Sequence, residues 1–404
     1  ETLNSTNVPR YDYEKSTYKN DIRFVIYNAE VKVNAVYYDD EYIYIPKTIK
    51  KLNVKNCNVF ANLKPEIEIN GSVTISGVTF DGINGISIKS GDTNSCHIMD
   101  CEFKHTLGNT LFISKKVKKD FIPAYVTKCK FEECSLLSGV MLSLSSSYIG
   151  KNSFFVENCE FVRYPDSKVR YKNTSAMVNV NADAFVSNCR LWNTCRSHLY
   201  FTRGYSVSKN NIIYNTPEFN SAVERNLSND WGLIYVNHIF KVNDNAIANK
   251  NHKVIVDGCL LYGAQANAKD ARGVMIDNGR GDVVCRNNIV LDCQCYTFDS
   301  RETKNFIGTS SIRNVIENNI LGGRYRLAGG VDLLEKDFPI SRENVLLGEY
   351  KNVFNDQSKI ESSNKIIPVD YIVKDGKIYI SSEDYESLNN ASFFERVKKY
   401  IEKK

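Results

Sequence analysis

VTKCKF (126–131), VENCEF (156–161) and VSNCRL (186–191) are three copies of one phrase: strand residues, a polar residue, a cysteine, any residue and an apolar one. Working outward, IMDCEF (98–103) and VDGCLL (256–261) keep the cysteine, while SKNNII (208–213), CRNNIV (285–290) and IENNIL (316–321) put asparagine in its place. SVTISGVTF (72–80) is a looser first copy. From Cys101 to Asn319, successive copies stand 22 to 48 residues apart, so the unit is a coil of variable length and not a fixed helical repeat. Short strands separated by Gly, Asn and Asp corners leave no room for a helix in most coils. Stacking the coils in parallel satisfies them all.

A second column precedes most copies, in segments that alternate apolar and polar residues. These are GISIK (85–89), TLFIS (110–114), MLSLS (141–145), MVNVN (177–181), HLYFT (198–202), IFKVN (239–243), VMIDN (274–278) and YTFDS (296–300). Alternation sends Ile86, Ile88, Leu142, Leu144, Val178, Val180, Leu199, Phe201, Phe240 and Val242 inward. It leaves Asn179, Asn181, Tyr200, Lys241, Asp277 and Asp299 on the solvent face.

Over roughly residues 50 to 355 this pattern resembles the pectate-lyase-like superfamily of right-handed parallel β-helices. The resemblance implies an asparagine ladder at a tight corner between two strands. Asn211, Asn288 and Asn319 hold that position, and Cys101, Cys129, Cys159, Cys189 and Cys259 replace it as a reduced, buried stack. The expected fold is all-β, a single right-handed parallel β-helix of about ten coils over residues 51–355. Residues 1–50, with RFVIYNAEV (23–31) and EYIYIP (41–46), form a cap and first strands. Residues 356–404 form an extension ending in an amphipathic helix over 387–404, with Phe394, Val397 and Ile401 on one face.

Hydrophobic content of 42% and charged content of 25% are those of a soluble globular protein, and no apolar run reaches the ~18 residues of a membrane span. The net charge of +5 is mild and spread out; it argues against a dedicated nucleic-acid binder and permits an acidic polysaccharide as partner. None of the twelve cysteines shows the paired spacing of a zinc site. Glu1 stands where an initiator Met would, and no signal-like start precedes the strands, so a secreted, periplasmic or cell-surface monomer with its export signal removed is expected.

The resemblance also implies that substrate lies along the solvent face of the alternating column. There Lys241, Asp277 and Asp299 are flanked by Arg203, Arg280 and Arg301, with His198 and His238 nearby. Against a functional reading, Asp277-Asn278-Gly279 is also a turn signal. The longest insertion, 216–237, carries Trp231, placed either to stack on a sugar ring or to pack the loop down. Three activities fit this face. In a lyase acting on a uronic-acid polymer, Lys241 is the base, the arginines hold the carboxylate, Tyr200 donates the proton, and Asp277 and Asp299 bind calcium. In a glycoside hydrolase the two aspartates are the acid and the nucleophile or base, and adjacent coils at ~4.8 Å come nearer the ~5–5.5 Å of a retaining pair than the wider inverting separation. Asn179 and Asn181 stand on the same face as substrate-binding residues. Third is a non-catalytic polysaccharide-binding or adhesive β-helix, which needs an extended aromatic or polar face but no acid or base.

Overall fold

A computed structural model describes residues 67–81, 83, 85–106, 108–116, 122–135, 139–147, 153–165, 176–194, 196–222, 233–237, 253–263, 274–280, 282–293, 296–300, 314–323, 340–347, 365–367, 371–374, 376–390 and 394–404, and before these only the strand segments 2–4, 24–33, 42–44 and 52–54. For the strands Val274–Arg280 and Tyr296–Ser300 it describes the course of the backbone. The chain divides into two units, Glu1–Phe185 and Val186–Lys404.

Each copy of the repeated phrase turns on one residue with a left-handed backbone. In the first unit these are Asp100, Lys128 and Asn158, with φ of 52°, 53° and 56°. In the second they are Asn188, Asn210, Gly258, Asn287, Asn318 and Glu343. Gly77, at φ 67°, does the same for the looser copy at 72–80, which is therefore a true coil. Asn, Asp and Gly tolerate this region; an ordinary residue such as Lys128 is held there at ~1–2 kcal/mol. The next residue then turns into the core.

Three columns of parallel strands meet at these corners. In the first unit the alternating column holds Ile86–Ser90, Leu111–Lys115, Leu142–Ser146 and Ala176–Asn181, with Ile86, Leu111, Leu142 and Val178 in register. The second column holds Cys96–Met99, Ala124–Thr127 and Phe154–Glu157. The third holds Thr79–Asp81, Glu102–Lys104, Lys130–Glu132 and Glu160–Val162. Strand Ile67–Ser76 opens the first two columns together, pairing parallel with Ile86–Ser90 and Cys96–Met99. Along its other side runs Phe24–Val33, antiparallel, which occupies an edge that would otherwise recruit a second chain.

The second unit repeats the plan. Its alternating column is Ser197–Arg203, Ile234–Asn237, Val274–Arg280 and Tyr296–Ser300. Its third column runs from Arg190–Trp192 through Val345–Leu347 to Lys365–Ile367, past the expected limit at 355. Both units have the parallel β-helix fold.

The interior follows the alternation: Ile86, Ile88, Leu142, Leu144, Val178, Val180, Leu199 and Phe201 are all fully buried, each contributing ~1.5–3 kcal/mol. A spine of Phe80, Phe103, Phe131 and Phe161 stacks ring on ring at 5.1, 4.7 and 4.7 Å. The corner residues form the ladder. Asn288 donates from Nδ2 to the Val256 carbonyl at 2.9 Å and accepts at Oδ1 from the Cys259 amide at 2.8 Å. Asn319 accepts from the Asn288 amide, and Asn344, a further rung, accepts from the Asn319 amide. A cysteine makes a weaker version of the same contact: Cys129 Sγ donates to the Ile98 carbonyl at 3.6 Å, and Cys159 Sγ to the Val126 carbonyl at 3.4 Å.

The C-terminal segment departs from the expected single helix over 387–404. A helix spans Ser382–Asn389, capped by Ser381 Oγ, which accepts from the Asp384 amide. A short helical turn follows at Phe394–Val397, and Ile401–Lys403 is a strand paired with Lys377–Ile380. Sheet pairing claims Ile401, yet Phe394, Val397 and Ile401 are all buried, as the apolar spacing requires. They pack against Leu260, Tyr262, Ile289 and Leu291, so here the third column is apolar on both faces. Tyr400 Oη donates to the Gly258 carbonyl at 2.9 Å and fastens the segment to a ladder corner.

Candidate functional site

On the alternating column of the second unit, strand register aligns four residues: Tyr200 with Tyr235, Tyr235 with Asp277, and Asp277 with Asp299. The two tyrosine rings are half-buried and stack at 5.0 Å, 23° from parallel. Paired strands lie ~4.8 Å apart, so a row of this kind sets one functional group per coil.

One coil is irregular. Ile234–Asn237 pairs with Val274–Arg280 residue for residue until Val236 meets Asn278; the next partner of Asn237 is Arg280, and Gly279 is skipped. An extra residue of this kind bends its strand and re-registers everything after it. Asp277-Asn278-Gly279 is thus the end of a strand and not a turn. Arg280 and Arg203 likewise close their strands instead of lying beyond them.

The position in this row expected for Lys241 belongs to Tyr235. Two neighbouring segments, LIYVN (233–237) and IFKVN (239–243), alternate equally well, and only backbone pairing on both sides selects the first. Lys241, Phe240, Val242, His238, Arg301 and Trp231 lie outside the described residues. His198 is fully buried, with Nε2 3.0 Å from the Tyr214 carbonyl, so it packs beneath the face instead of contacting a substrate on it. Its place at the head of Ser197–Arg203, where three successive residues are buried, overrides simple alternation. Asn179, half-buried, and Asn181, exposed, stand on the corresponding column of the first unit, in register with Ser143 and Ser145.

Of the early histidines, His97 stacks on Tyr125 at 5.1 Å, and His105 lies 2.8 Å from the Asp81 carboxylate. That hydrogen bond raises the His105 pKa above the usual histidine value. Burial pushes the Cys134 and Cys259 thiols up to about 11, and Cys96 and Cys285 up to about 12. Cys101 is raised as well, by its hydrogen bond with Cys129 and by burial. The thiolate is the reactive form, so burial that disfavours it makes these side chains poor nucleophiles. Among the described residues no three His, Cys, Asp or Glu side chains come together as a metal-binding group, and no helix is long and apolar enough to cross a membrane.

No family model and no curated protein matches the chain. Among solved structures it is similar to the crystal structure of an alginate lyase from Paenibacillus sp. str. FPU-7. The identity is 12%, over 70% of this chain and 89% of that one, with a TM-score of 0.36.

Proposed function

We propose that the protein cleaves an acidic, uronate-containing polysaccharide by β-elimination at the row Tyr200, Tyr235, Asp277 and Asp299. The observation that carries this reading is the register, which aligns two tyrosines with two aspartates along the strands and puts Arg280 opposite Asn237. The likeness to the alginate lyase is too distant to carry it. In the reaction a base removes the proton at C5, the electron pair forms the C4–C5 double bond, the C4–O bond breaks, and an acid protonates the departing oxygen. A tyrosine beside a carboxylate serves either proton transfer. Arg280 and Arg203 supply positive charge for the uronate carboxylate. Asp277 and Asp299, paired in register, would supply two of the six to eight oxygens that a calcium ion takes.

Direct pairing of Asp277 with Asp299 favours a second reading, a retaining glycoside hydrolase, because carboxylates on adjacent strands approach the ~5–5.5 Å separation of such pairs. The deciding assay follows both the ultraviolet absorbance of unsaturated uronate and the release of reducing ends from acidic polysaccharides. Elimination predicts rising absorbance that falls at least ~100-fold in rate in Tyr235→Phe, the usual scale for loss of an acid–base group. Reducing ends without absorbance, lost in Asp277→Asn and Asp299→Asn, would establish the hydrolase. Neither signal from any polyuronate would refute the proposal.

A further inference from the structure

The second column of the second unit includes the parallel strands Tyr205–Lys209, Lys253–Asp257, Asp282–Arg286 and Asn314–Glu317. Its inner residues, among them Val254, Val256, Val283 and Ile316, are fully buried. The middle row of its outer face is Val207, Ile255, Val284 and Val315, one β-branched aliphatic side chain per strand, each only half-buried. A contiguous apolar stripe on a surface marks contact with something else. On the third column of the same unit the apolar outer face is covered by the chain's own C-terminal segment, through Phe394 and Val397. The stripe on the second column keeps part of its surface open to solvent.

The rows on either side of the stripe carry charge. On one, register sets Lys209, Asp257, Arg286 and Glu317 in order, positive and negative by turns, ~4.8 Å from strand to strand. On the other, Lys253 stands in register with Asp282. Such alternation is complementary to itself under one symmetry operation. A two-fold axis parallel to the strands, passing between Lys253–Asp257 and Asp282–Arg286, lays two copies face to face with the second strand of each on the third of the other, and the first on the fourth. Lys209 then meets Glu317 of the other copy, Asp257 meets Arg286, and Lys253 meets Asp282. In the stripe Val207 meets Val315 and Ile255 meets Val284. Shifting the axis onto either central strand opposes like charges instead, Lys209 to Arg286 or Asp257 to Glu317. Asp257 and Arg286, already ion-paired at 3.0 Å within the chain, become a network of four charges about the axis.

We infer that this face is an isologous interface whose occupant is a second copy of the chain, in place of the monomer expected from the sequence. An unrelated partner would need the same alternation at the same spacing, and a second copy has it by construction. Four strands make a patch small beside the ~800 Å² that each partner of a stable complex buries, so the dimer is a reversible one.

Sedimentation velocity of the full chain over a concentration series at low salt tests the inference. Lys209→Glu places a carboxylate against Glu317 of the other copy, and Glu317→Lys places an amine against Lys209. Each variant alone should therefore self-associate at least ~tenfold more weakly than the wild type. In a mixture of the two variants both positions carry opposite charges again, so association should return to within ~threefold of the wild type. A change of structure within one chain would not produce that recovery, and retained thermal unfolding confirms that each variant folds. The inference is overturned if the wild type stays monomeric at ~0.1 mM. It is overturned equally if the single variants associate as the wild type does, which would put the contact on another face, or if the mixture stays as weak as its components.

Discussion

Replacing Asn288 by alanine strips one rung from the ladder, and its cost can be worked from the bonds it makes. The Asn288 side chain satisfies the Val256 carbonyl and the Cys259 amide, and both of those residues are fully buried. Water cannot reach either group once the side chain is gone, so each loses ~1–3 kcal/mol, for a combined ~2–6 kcal/mol. Asn288→Cys is the informative companion. The fold already uses cysteine at this position, where Sγ donates to the carbonyl below, as Cys129 does to Ile98, and accepts an amide, as Cys259 does from Asn211 at 3.4 Å. Cysteine should therefore recover at least half of the loss. Urea unfolding at constant slope measures both variants, with the shift in midpoint times the slope giving the free energy. If alanine costs less than ~1 kcal/mol, or cysteine costs as much as alanine, then the ladder's side-chain bonds are not what holds the corner.

Two further outcomes follow from the same geometry. The His105 pKa is raised by its bond to Asp81, so the pair's stabilisation is fully present below the unfolded histidine value and fades as pH rises through the higher folded one; urea midpoints should fall across that window in the wild type and stay flat in Asp81→Asn. At Gly258, φ is 67° and an added Cβ would sit 2.6 Å from Asn210 Oδ1, so Gly258→Ala should lower the unfolding free energy by ~1–2 kcal/mol or more, whereas Lys128→Gly, at the equivalent corner, should raise it slightly.

The fold was legible because its determinant is local. A left-handed residue followed by a small polar or thiol side chain leaves a visible trace every coil, even when coil length varies. A second set of corners, five residues on, left none. His105, Glu133 and Asn193 all adopt positive φ there, at 48°, 49° and 62°, but they share no side-chain chemistry. Asn193 and Asn215 make bonds of the ladder kind, Asn193 Oδ1 accepting from the Thr216 amide and Asn215 Oδ1 from the Thr194 amide, yet two residues are too few to read as a column. The candidate row was only partly legible, for a different reason. Alternation says which face a residue takes, and says nothing about which of two adjacent alternating segments enters the sheet, so Tyr235 was passed over for Lys241. The register slip at Gly279 was equally hidden, because Asp-Asn-Gly reads as a turn whether or not a neighbouring strand holds it straight.

The thiol ladder has a use beyond stability. Cys101, Cys129 and Cys159 mark three successive corners of one unit, and Cys259 and Cys285 two positions in the other, all buried. A thiol buried this completely ignores alkylating reagents until its own corner opens. Mass spectrometry of the chain after timed exposure to such a reagent would therefore read out, coil by coil, where the stack frays first and where it breathes only as a whole. Each unit carries its own set of clocks along its repeats.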